Sequence, residues 1–177
     1  MMSQSTTYFT PVPDPAPLPM IVSREAADQL SELFTAEQLD AAMDRAARCS
    51  KATVAVFAAA PIDCWADPND RGAAAIEFVV EFFVPPASQE LFHRELEAQL
   101  LLASPRYVAG RYRGDFGHCG LHSISFGTFH QYRITCRTSA ADQRESRWCR
   151  DRLFLDGILH QARTGWRELG ETHYALP

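Results

Sequence analysis

His118, Cys119 and His122 bring two imidazoles and a thiol within five residues, the groups from which an acid, a base or a nucleophile is drawn. Imidazole exchanges its proton near neutral pH, whereas a thiol attacks only as thiolate and needs a base or cation beside it. The three also look like a metal cluster. A zinc ion would need further ligands that cannot be placed, so no metal is expected. Cys119 likewise lacks a nameable oxyanion donor or orienting Asn. Just upstream, Arg111, Arg113 and Asp115 are interspersed with Gly110, Gly114 and Gly117. A tight loop there could present guanidinium forks to an anion, the carboxylate holding them in place. An Arg–Asp pair that merely braces the sheet would show the same pattern. Arg144, Arg147 and Arg150 form a second basic run, and Lys51 is the only lysine among seventeen basic residues, so chemistry needing a lysine has one candidate. Glu77 and Glu81, four apart, share one face of any strand that carries them, either as a working carboxylate pair or as part of a solvated face.

The elements that must position these groups follow from pattern. Thr35 and Gln38 have capping-box spacing, and Leu39, Met43, Ala46 and Ala47 then make one helical stripe. Residues 53–59 (TVAVFAA) read as a strand, 61–72 as an exposed connector rich in turn formers, and 74–84 (AAIEFVVEFFV) as a central strand. Pro85 and Pro86 stop it. Ser88 can cap a helix in which Phe92, Leu96 and Leu100 recur opposite a charged Arg94, Glu95 and Glu97 face. Residues 106–116 read as a short helical turn begun on Pro105 and then a loop. A strand follows at 121–126, then a helix capped by Thr128 and running to about 137. A last helix over 148–169 carries Leu155, Ile158, Leu159, Ala162 and Trp166, and is imperfect at Gly157 and Gly165. The expected fold class is α+β, a small and mostly antiparallel sheet of about three strands covered by helices on one face. Phe78, Phe82, Phe116, Phe126, Phe129, Trp148 and Trp166 are expected in its core.

At 177 residues, with 46% hydrophobic and 22% charged side chains, the chain has ordinary globular usage and suits one domain. Five alternating prolines from Pro11 to Pro19 make residues 1–20 an extended leader, which leaves 21–177 as the α+β domain. No apolar run approaches a membrane span and the first twenty residues lack signal-peptide character, so a cytoplasmic protein without a membrane partner is expected. The net charge of −5 argues against nucleic acid. The charge is uneven: residues 106–167 carry eleven basic and five acidic side chains, so that half could attract a small anion. Five cysteines with no CxxC pair suggest reduced, structural thiols.

Taken in order, these features resemble the carboxy-terminal domain of the acyl acid amido synthetase family, the auxin- and jasmonate-conjugating enzymes of plants and their bacterial relatives. The resemblance runs from about residue 33 to 129, more faintly to 158. It rests on Leu39, Ala42 and Ala46 before a strand; on Val80-Glu81-Phe82 with Pro85-Pro86; on Phe92, Leu96 and Leu100; on Tyr107, Arg111 and Arg113-Gly114-Asp115-Phe116-Gly117; and on Gly127-Thr128-Phe129. It is carried by their order and spacing over nearly a hundred residues. In that family a large amino-terminal domain forms an acyl-adenylate from ATP and a carboxylic acid, the small domain closes over it, and an amine attacks.

The resemblance therefore implies adenylate chemistry only for a two-domain enzyme. This chain has no room for the nucleotide-binding part and no Gly-rich phosphate loop, so no cofactor of its own is expected and ATP would enter only through a separate adenylating partner. Where the family has a lysine-bearing stretch like GKLGGQHKVPR, residues 134–152 contain no lysine. Gln143 would be what remains of its glutamine, and Arg144, Arg147 or Arg150 could stand in for the lysines. The expected function is accordingly an accessory domain acting with an adenylating protein, as a homo-oligomer, or on an acyl-adenylate-like ligand held by Arg111, Arg113, Asp115, Thr128 and the later arginines. The alternative is a small biosynthetic enzyme using His118, Cys119 or His122 on an acidic substrate.

Overall fold

The computed structural model describes residues 29–30, 32–63, 74–136 and 152–171. The Pro-rich leader, Cys64, Trp148, Cys149 and the Arg144, Arg147 and Arg150 run lie outside these residues, as does the Trp166 side chain. Among them, five helices accompany a three-stranded sheet, an α+β arrangement.

Helix α1 (Ala36–Cys49) begins on the capping box: the Gln38 amide donates to Thr35 Oγ1 at 3.2 Å and the Thr35 amide to Gln38 Oε1 at 2.8 Å. It ends on Lys51, a non-glycine residue at φ 56°, while the Ala52 amide reaches back to the Ala47 carbonyl. This is a Schellman stop, and it assigns the only lysine a backbone task. Strand β1 (Thr53–Asp63) runs four residues past the expected end, through Pro61 paired with Ile76. β1 is an edge strand of the β1-β2-β3 sheet, where a missing amide donor is tolerated.

Strand β2 (Ala74–Val84) pairs antiparallel with β1 and parallel with β3 (Gly120–Ile124), so the sheet is mixed, its antiparallel pair the longer. A parallel return needs a crossover, supplied by α2 (Gln89–Ala103) and α3 (Pro105–Arg113). Helix α3 spans nine residues where a short turn and a loop were expected. Ser104 caps it, Pro105 opens it and Gly114, at φ 80°, closes it. Arg111 and Arg113 thus sit on a helix end and not in a loop. Gly110 is needed for another reason: a Cβ there would come within 2.1 Å of the Phe116 ring.

Helices cover both faces of the sheet, not one. Ile76, Phe78, Val80 and Phe82 pack with α1, α2 and α3, while Val79 on the opposite face packs with Phe129 of α4 (Thr128–Cys136) and Leu155, Ile158 and Leu159 of α5 (Arg152–Glu171). Residues from Ala74 to Phe82 are consequently buried without a break, as a strand covered on two sides must be. The expected core aromatics Phe78, Phe82, Phe116 and Phe129 are buried; Phe126 is 63% exposed and lies on the exposed Phe83. No helix among the described residues is long and apolar enough to cross a membrane.

Candidate functional site

Three glutamates that the pattern assigned to solvent-facing or undecided positions are buried: Glu77, Glu81 and Glu97 are 7%, 2% and 9% exposed. A buried carboxylate must find partners, and each of these organises a different part of the molecule.

Glu81 accepts the Gly127 amide at 3.0 Å on one oxygen and the Phe129 amide at 2.5 Å on the other. It thereby satisfies the open amides at the start of α4 from a distant strand. Thr128, expected to cap that helix, is itself buried and donates its hydroxyl to the Ser125 carbonyl at 2.8 Å, so the hydroxyl is spent locally.

Glu97, on the α1–α3 side, lies 3.2 Å from Arg111 Nε and accepts the Cys119 amide at 2.9 Å and the Tyr107 hydroxyl at 3.4 Å. Arg111 further donates to the Phe116 carbonyl at 3.0 Å and contacts His118 at 2.7 Å, while Tyr107 also donates to the Gly117 carbonyl at 3.3 Å. This network ties residues 116–119 to α2 and α3. Arg111 is therefore neutralised and occupied, a brace and not an open fork. Arg113 pairs with Asp115 at 2.7 Å in the open, an exposed ion pair of small energetic weight.

The candidates His118, Cys119 and His122 are not brought together into one site. His118 is exposed beside Arg111 and Glu97. Cys119 is 2% exposed; burial first, then the Glu97 charge, pushes its thiol well above the usual range, so the thiolate required of a nucleophile is not available. His122, next but two along β3, faces the other side of the sheet. Among the described residues no group of three His, Cys, Asp or Glu side chains is placed to hold a metal ion.

His122 has the constellation with chemical content. Its Nε2 lies 2.5 Å from Glu77 Oε1, and Glu77 Oε2 lies 2.8 Å from Nη1 of Arg152, whose Nε pairs with Asp156 at 3.1 Å. Burial by itself would raise the Glu77 pKa; the hydrogen bond from His122 and the adjacent Arg152 and His122 charges outweigh it and hold the carboxyl below its ordinary value. An ionised carboxylate only accepts, so Nε2 carries a proton and donates it to Glu77. His122 also lines a cavity of about 280 Å³ together with Ser123, Ile124, Ser125, Leu159, Ala162 and Arg163. A carboxylate-oriented imidazole at the mouth of a cavity is the arrangement of a general base.

Neither Glu77 nor Arg152 was singled out with His122 by sequence. The available signal was the placement of Glu77 and Glu81 inside an eleven-residue apolar run, where a charge demands a partner.

Because the Glu77 pKa is depressed on folding, its contribution to stability is complete above the unfolded value and lost as pH falls through the folded one. Urea titrations at pH 6, 4 and 3 should show the Glu77→Gln variant losing less stability on acidification than the wild type. Parallel pH profiles for the two proteins would contradict the assignment.

No protein-family profile matches the chain, and no curated protein matches it.

Proposed function

We propose that the chain works as a stand-alone domain of the acyl acid amido synthetase carboxy-terminal type, an accessory to a separate adenylating protein or a receiver of an acyl-adenylate-like ligand. What supports the reading is that the stretches carrying the resemblance brace one another. Glu81 of Val80-Glu81-Phe82 accepts amides from Gly127 and Phe129 of Gly127-Thr128-Phe129. Tyr107 and Arg111 hold Phe116 and Gly117, and Phe92, Leu96 and Leu100 are wholly buried beneath them. The spacing that suggests the family thus coincides with contacts a fold has to keep. ATP would come only with the partner, a second copy of the chain is the other candidate partner, and a cytoplasmic setting without nucleic acid or membrane goes with this reading.

Affinity capture of the full chain from its native cells is expected to recover an adenylating protein in stoichiometric amount, and calorimetry to show heat with an acyl-adenylate analogue. A monodisperse free protein that captures nothing and gives no heat would sink the proposal.

A second reading, a small enzyme acting on an acidic substrate, is favoured by one observation. Of His118, Cys119 and His122, only His122 has a buried carboxylate behind it and an open cavity before it.

A further inference from the structure

The α5 side of the His122 cavity comes from Leu159, Ala162 and Arg163, two of which share a stripe of that helix with Arg152 and Asp156. Arg152, Asp156, Leu159 and Arg163 fall within about 60° of one another around a helix, because four, seven and eleven residues each return close to a whole number of turns. The first two are consumed by the ion-pair network: Arg152 is matched to Glu77 and Asp156. Arg163 is not. Its side chain lines the cavity, is exposed, and makes no ion pair or hydrogen bond among the described residues. Ile124, Leu159 and Ala162 contribute apolar surface to the lining, and Ser123 and Ser125 contribute polar surface from the strand side.

We propose that this cavity between β3 and α5 binds a small organic anion, its charged head on the Arg163 guanidinium, its short apolar body over Ile124, Leu159 and Ala162, and its far end toward the His122 ring. The site deepens the second reading above, since it uses the same imidazole, but its binding step needs no adenylating partner. Three features select this class of ligand. A guanidinium fork without a partner matches a carboxylate or phosphate head. The Ile124, Leu159 and Ala162 side chains in the lining reward a hydrocarbon body, which a bare inorganic ion does not offer. A volume of about 280 Å³ lies at the small end of ligand cavities, which limits the occupant to metabolite size. The pairing of Arg152 with Glu77 and Asp156 keeps those carboxylates from repelling the head group.

The test is a titration of the whole protein with hexanoate, with inorganic phosphate and with hexylamine, followed by NMR of the histidine rings and the Ile124 methyl group, the His122 signal being assigned from His122→Gln. Hexanoate should shift both groups saturably, hexylamine should not, and phosphate should bind at least tenfold more weakly than hexanoate. Arg163→Gln should weaken hexanoate at least tenfold with an unchanged melting temperature, whereas Arg106→Gln, which removes an exposed arginine from the other side of the sheet, should leave it unaltered. Absence of a saturable shift, equal affinity in wild type and Arg163→Gln, or phosphate binding as tightly as hexanoate would overturn the inference. Because hexanoate binding is read in the isolated protein, a failed capture of an adenylating partner would remove the accessory reading and leave this site standing.

Discussion

Glu97→Ala is expected to destabilise the protein by about 3–5 kcal/mol, the range seen when one member of a buried ion pair is deleted. The deletion strands several groups at once. Arg111 keeps a mostly buried guanidinium with no counter-charge, and the Cys119 amide and Tyr107 hydroxyl lose an acceptor. Glu97→Gln separates charge from hydrogen bonding: the amide oxygen can still accept from Cys119, so roughly half of the loss should be recovered. Urea denaturation of both variants, with hydrogen exchange at Cys119, would check this. A loss under about 1 kcal/mol for the alanine variant would show that Arg111 and residues 116–119 are held by packing alone. The same network sets the state of Cys119, so slow labelling of its thiol should accelerate in Glu97→Ala as the strand entry loosens.

Glu81→Ala should cost a comparable amount, about 3–6 kcal/mol, from the loss of two charge-assisted bonds of about 1.5–3 kcal/mol each. Both bonds end on amides at the start of α4, and Phe129 anchors the smaller core cluster with Val79, Leu155 and Ile158. The loss should therefore be local as well as global, with amides of α4 exchanging far faster than those of α1. Glu81→Gln is no remedy here. One oxygen becomes a donor facing another donor, so this variant should fall nearer to alanine than Glu97→Gln does. Uniform exchange across α1 and α4 in Glu81→Ala would contradict the assigned role.

Much of the architecture was legible in order along the chain. The capping box at Thr35 and Gln38, the strand at 74–84 and the Ser88 cap all stand where their local chemistry puts them, because each is decided within a few residues. The misreadings have two causes. β1 continues through Pro61 because it lies on an edge paired with Ile76, and Phe126 lies outside because its partner is the exposed Phe83; both turn on a neighbour distant in sequence. α3, by contrast, is delimited locally by Ser104, Pro105 and Gly114, and its glycines and arginines read as a loop only because the Gly110 approach to Phe116 is not visible in pattern.

By itself, then, the sequence determined the element order apart from α3, the α+β class and the apolar stripes of the single elements, since propensity, capping and periodicity act over one or two turns of chain. Only the tertiary structure decided which charges are spent and which remain available. Arg111, Arg113, His118, Cys119 and His122 crowd within twelve residues and look like one site; folding sends Arg111 and Cys119 to Glu97, Arg113 to Asp115 and His122 to Glu77. The alternation of a strand places Cys119 and His122 on opposite faces, and the parallel register of β3 on β2 brings His122 beside a glutamate 45 residues away. A carboxylate in an apolar run announces that it needs a partner, but the identity of that partner is fixed by pairing across the sheet and by the helix that covers it, neither of which has a local signature.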